Sequence, residues 1–207
     1  MTRLDKFAKR TQRIMRDALL NGDLYDPDLF RTTKRLFYHA VMEYGIKKSG
    51  LCSIPKPIGM TIASFKEKYD IDDDHYNPPE FTSLYMFAHP EKYLIDTPES
   101  LKNMTTVFRS SATTHMVTGT QNKSLSDTSG KIEKGIIIEK ALCPTNEKYS
   151  AVGIDVLYNI KTGQPISVKD CCYVPNTLIE WEKKFWNEEF KFPMKETTSP
   201  LSEFMAA

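Results

Sequence analysis

The sequence predicts a single α+β domain in which helices pack on a small antiparallel β-sheet, and three observations carry this prediction. Apolar residues recur at helical spacing in the first half of the chain and again near its end. Residues 133–174 hold the densest run of β-branched and aromatic residues. The length of 207 residues is enough for one hydrophobic core and falls within the range of one domain.

Residues 1–50 are expected to form a basic helical hairpin. Its first helix has one apolar and one basic face and ends at Asn21-Gly22, and its second runs from Asp26-Pro27 to Gly45. This block carries eleven Lys and Arg against six Asp and Glu, whereas residues 51–100 carry four against nine. The basic face is either a solvated surface or a contact for phosphates or an acidic partner. The candidate binding residues are Arg3, Lys6, Arg10, Arg13, Arg31, Lys34 and Arg35.

Residues 51–109 are expected to form short helices and loops. Helices are predicted over residues 62–69, from Asn77-Pro78 to about Ala88, and from Thr97-Pro98 to about Arg109. The acidic run 70–75 is interpreted as a solvated loop that ends the helix predicted over residues 62–69. Residues 110–132 are rich in Ser and Thr and lack apolar periodicity, so we predict a mobile loop there.

Residues 133–174 are expected to form the β-hairpin core. Two strands, 151–160 and 166–174, flank a glycine-containing turn over 161–165. Upstream, residues 135–143 contain three consecutive isoleucines and fit either a buried strand or a buried helix. A helix over 175–190 and a tail over 191–207 complete the chain. The expected buried anchors are Phe7, Leu19, Leu36, Phe37, Phe108, Ile137, Val152, Val156, Trp181 and Phe185.

Two short segments of the hairpin suggest a catalytic site. Gly153-Ile154-Asp155 heads one predicted strand, and Ser167-Val168-Lys169 lies on the next. This arrangement resembles the active-site layout of restriction-endonuclease-like nucleases, the PD-(D/E)xK superfamily, although Ser167 stands where that family has an acid. The resemblance implies that Asp155 holds Mg²⁺ and that Lys169 orients the attacking water. The further site residues that it implies are Glu139, Ser167 and, from the helix after the hairpin, Glu180 or Glu182.

The competing interpretation is a non-enzymatic structural or assembly subunit of a multi-subunit complex, such as a phage or virus particle. The sequence lacks the GxxxxGK[ST], GxGxxG, HExxH and GxSxG motifs, and its net charge is only +1. We favour this interpretation, with the Mg²⁺-dependent nuclease as the alternative.

As an assembly subunit, the chain is expected to need no cofactor, because Mg²⁺ belongs only to the nuclease alternative. The expected partners are copies of the chain or neighbouring subunits, with nucleic acid as a further candidate at the basic helices. No membrane contact is expected, because no apolar run approaches about 20 residues. The segment MTRLDKFAKR lacks the apolar centre of a secretory signal, so we expect a protein of the cell interior or of an assembled particle.

Overall fold

A computed structural model describes residues 1–171 and 173–187. The strands are β1 (Lys47–Cys52), β2 (Ile71–His75), β3 (Thr113–Thr118), β4 (Lys131–Glu133), β5 (Ile136–Glu139), β6 (Val156–Asn159) and β7 (Pro165–Ser167). The helices are α1 (Arg3–Leu20), α2 (Phe30–Thr33), α3 (Leu36–Tyr44), α4 (Ile62–Tyr69), α5 (Pro79–Ala88), α6 (Pro90–Tyr93), α7 (Pro98–Ser111), α8 (Gly119–Thr128), α9 (Lys148–Ala151), α10 (Val168–Cys171) and α11 (Asn176–Trp186). The predicted α+β class is confirmed.

Five strands form the main sheet, in the order β2-β3-β1-β6-β7. Neighbouring strands run antiparallel except β1 and β3, which run parallel because the long connection between them crosses over through α4–α7. β4 and β5 pair only with each other, as a separate two-stranded ribbon. The sheet is therefore mixed and is assembled from both halves of the chain.

The sheet is covered on both faces. Leu51 and Val117 face the main core, which contains α1, α3, α5, α7 and α11. Their neighbours Cys52 and Met116 face the other way and pack with Phe65 of α4 in a second, smaller core. This alternation follows from the two-residue period of a strand.

The first N-terminal helix forms where the sequence predicts it. Thr2 and Asp5 form a capping box that begins α1. The second helix of the hairpin is interrupted, because α2 and α3 are separated by Lys34 and Arg35. Of the expected anchors, Leu19, Phe37, Phe108, Trp181 and Phe185 are buried, whereas Phe7, Leu36, Ile137, Val152 and Val156 are only partly buried.

Three local predictions are wrong. The expected mobile loop 110–132 contains β3, which lies between β1 and β2, followed by α8 and the first residues of β4. The expected acidic loop 70–75 contains β2, an edge strand whose charges discourage further pairing. The second strand of the late hairpin ends at Ser167, and a turn of helix replaces its expected continuation. The expected tail, 191–207, and residues 188–190 of the expected C-terminal helix lie outside the described residues.

Candidate protein-binding surface

The β4–β5 ribbon has one buried and one exposed face. Lys134 and Gly135 form its turn, both with positive φ, as the tight turn of a two-residue hairpin requires. Ile132 and Ile137 are paired across the ribbon, and both contribute to the main core. Ile136 and Ile138 lie on the opposite face and are 64% and 57% exposed. Three consecutive isoleucines therefore give β5 apolar side chains on both faces, only one of which is covered.

A cleft of about 260 Å³ opens beside this ribbon, between α5, α11 and the segment that follows α8. Its apolar lining includes Phe81 and Trp186, whose rings stack with centroids 5.6 Å apart. Gly130 lies directly against the Trp186 ring, at a position where a Cβ atom would overlap the ring. The other apolar residues of the lining are Leu84, Ile132 and Ala141.

The charged groups of the cleft already have partners inside the fold. Lys34 Nζ lies 2.6 Å from Glu80 Oε1 and also donates to the Ile132 carbonyl, which ties the ribbon to α2. The Glu182 carboxylate accepts hydrogen bonds from the backbone N–H and the hydroxyl of Thr145. Burial raises the pKa of Glu182, although these two hydrogen bonds favour its charged form. The cleft thus offers apolar contact area rather than uncompensated charge.

The structure places Asp155 beside the segment that carries Ser167 and Lys169, whereas Glu139 and Glu182 lie on other elements. Asp155 precedes β6 and is exposed, and its carbonyl accepts a hydrogen bond from Val168 N at 3.1 Å. Lys169 lies in α10 and not on a strand, so strand alternation does not align it with Ser167. Glu139 belongs to the separate ribbon, and Glu182 is buried against Thr145. Within residues 1–171 and 173–187, no group of three His, Cys, Asp or Glu side chains could hold a metal ion.

The candidate binding cations fall into two groups. Lys6, Arg10 and Arg13 line one groove beside α1. Lys34 and Arg35 instead share Glu80, on the side of the fold that carries the cleft. Arg3 packs against Phe7 and Tyr44 and donates to the Tyr44 carbonyl. Arg31 is exposed on α2.

A buried polar cluster, unforeseen from the sequence, joins the sheet to α9. His115 on β3 lies opposite Asp74 on β2, and its Nδ1 atom is 2.8 Å from Ser49 Oγ. The Asp74 carboxylate accepts from Lys148 Nζ at 3.1 Å and from the Tyr149 hydroxyl at 2.7 Å. Burial lowers the pKa of His115 to about 4 and outweighs the opposing effect of Asp74. Residue spacing along the sequence carries no signal for contacts between such distant segments.

Comparison of the chain with protein-family models, curated proteins and solved structures finds no match. Among the described helices, none is long and apolar enough to span a bilayer.

Proposed function

We propose that this protein is a structural or assembly subunit that associates with further copies of itself through the β4–β5 ribbon. The observation that carries this proposal is the exposed apolar surface of the ribbon. Ile136 and Ile138 of the ribbon expose 64% and 57% of their surface, and Leu142, which follows the ribbon in the chain, exposes 78%. Single exposed apolar residues are common, but a contiguous set of large ones is typical of a surface that a partner covers.

The ribbon is also short of stabilising contacts on its own. A two-stranded hairpin is at best marginally stable in water, and the described contacts hold this one to the fold through Ile132, Ile137 and the hydrogen bond from Lys34 Nζ to the Ile132 carbonyl. In the part of the chain that the structure describes, no strand pairs with the second edge of β5. The backbone groups of that edge can add a strand from a partner.

A second copy of the chain offers a surface that fits the ribbon. The apolar cleft lies next to the ribbon in the same molecule, so a two-fold axis between two molecules allows each ribbon to cover the cleft of the other. Such an interface is closed and self-complementary, as in most homodimers. Phe81 and Trp186 would supply the aromatic contact area that is typical of protein interfaces.

Some of the opposite charges in the first two quarters of the chain pair with each other within one molecule. Ion pairs join Lys9 to Asp96, Lys34 to Glu80 and Lys48 to Asp73. The proposed interface rests on apolar surface. Membership of a phage or virus particle stays a prediction.

The proposal is tested by measuring the molar mass in solution by light scattering, over a series of protein concentrations. We expect the native protein to form dimers or larger assemblies as the concentration rises. The double variant Ile136→Lys/Ile138→Lys should remain a monomer, because each lysine would place a charge in the apolar interface.

The control is Ile58→Lys/Ile62→Lys, which changes two isoleucines that are 104% and 48% exposed outside the ribbon. It should assemble like the native protein. A native protein that stays monomeric at every concentration would contradict the proposal, as would a ribbon variant that assembles normally.

A further inference from the structure

The exposed side of α1 forms one wall of a groove of about 300 Å³ that is strongly basic. Its charged lining residues are Lys6, Lys9, Arg10, Arg13, Arg16 and Asp96. Five cations and one carboxylate leave a local charge of +4 (five minus one) in a protein whose net charge is +1. The groove is distinct from the ribbon and the apolar cleft, with which it shares no lining residue.

Three of these cations are free to meet a partner. In the described ranges, Lys6, Arg13 and Arg16 form no ion pair. Lys9 pairs with Asp96 at 3.6 Å, and both side chains are more than half exposed. Ion pairs between exposed groups contribute little free energy, so Lys9 can exchange its carboxylate for another anion at small cost.

The groove is held in shape before any ligand arrives. Gln12 lines the groove and is buried, and its side chain donates to the carbonyls of Tyr93 and Ile95 at 2.8 and 2.9 Å. Gln12 also donates to Ser100 Oγ at 2.9 Å. These contacts join α1 to the segment that carries Asp96, so the two sides of the groove keep their spacing. A preformed site avoids the entropic cost of ordering on binding.

We propose that this groove binds the sugar–phosphate backbone of a nucleic acid, a role beyond assembly. The row from Lys6 to Arg16 spans about 15 Å along the helix axis. One strand of a duplex presents about four phosphates over that length. Arginine matches phosphate geometry with a planar, two-pronged donor. Among the described residues, Met1 has the only apolar side chain in the lining, so this part of the chain gives the groove few of the apolar contacts that a peptide partner needs.

Within residues 1–171 and 173–187, no aromatic side chain on which bases could stack lines the groove. Binding through phosphates alone carries no direct sequence information, so we expect the protein to bind duplexes of different sequence equally. If the three unpaired cations neutralise three phosphates, the logarithm of the affinity falls with the logarithm of salt concentration with a slope of about −2.7. That slope corresponds to an affinity loss of about 40-fold between 50 and 200 mM salt.

The test is fluorescence anisotropy with a labelled DNA duplex of about 20 base pairs, measured over that salt range. The triple variant Lys6→Gln/Arg13→Gln/Arg16→Gln should lose at least about tenfold in affinity at 50 mM salt and most of its salt dependence. The control variant Lys102→Gln/Lys123→Gln/Lys161→Gln removes three exposed lysines from other elements and should bind like the native protein. A charge-retaining variant, Arg13→Lys/Arg16→Lys, should keep most of the binding, which separates loss of charge from misfolding.

Three outcomes would overturn the proposal. The first would be a native protein that does not bind the duplex at 50 mM salt. The second would be an equal loss of affinity in the triple variant and in its control. The third would be displacement of the labelled duplex by an acidic polypeptide, such as polyglutamate, at a lower concentration than unlabelled DNA requires. That result would assign the groove to an acidic protein partner.

Discussion

Protonation of His115 is expected to destabilise the fold as the pH falls below neutral. His115 is 2% exposed, and burial lowers its pKa from the ordinary value of 6.5 to about 4. Between pH 6.5 and pH 4 the unfolded chain therefore binds a proton at this histidine and the folded protein does not. The free energy of unfolding has its full value above pH 6.5 and decreases as the pH falls from 6.5 to 4. The loss is about 2 kcal/mol at pH 5 and reaches about 3 kcal/mol below pH 4.

The assay is urea unfolding of the native protein and of His115→Gln at pH 7 and at pH 5. An amide at this position can still hydrogen bond to Ser49 but does not titrate. The pH-dependent loss in the variant should be smaller than in the native protein by about 2 kcal/mol. His75, whose pKa burial also lowers, contributes in the same direction in both proteins. His39→Gln, on an exposed helical position, is the control. Equal losses in the native protein and His115→Gln would refute the reasoning.

Three other predictions concern packing, a buried charge pair and catalysis. Gly130→Ala should lower the free energy of unfolding by about 1–3 kcal/mol in urea titrations, because its methyl group would overlap the Trp186 ring. Lys148→Met should cost about 3 kcal/mol, since it leaves the Asp74 carboxylate without its ammonium partner, and adding Asp74→Asn should restore part of that loss. The nuclease resemblance predicts Mg²⁺-dependent DNA cleavage that Asp155→Ala abolishes. Cleavage that survives this substitution would remove Asp155 from any active site.

Local sequence signals predict α1, α4, α5, α7 and α11 but miss α8 and α10. The helix over Ile62–Tyr69 begins and ends where expected, with Thr61 as its cap. Proline at the first positions of α5 and α7 marks both starts correctly. The turn between β6 and β7 follows from Asn159 and Gly163, because the Asn159 side chain accepts backbone hydrogen bonds within it and Gly163 adopts a positive φ. Such features depend on residues a few positions apart, so the sequence alone contains them.

The tertiary structure decides the features that depend on distant partners. The acidic segment 71–75 forms a strand because it pairs with β3 and because lysines neutralise two of its aspartates. Lys48 and Lys66 pair with Asp73, and Lys148 pairs with Asp74. Residues 113–118 resemble a loop in composition, yet they form an interior strand of the sheet because β2 and β1 pair with them on both sides. The candidate protein-binding surface likewise depends partly on the local sequence and partly on the tertiary structure. The three isoleucines of β5 are evident in the sequence, but only the fold determines that the core covers Ile137 and leaves its two neighbours exposed.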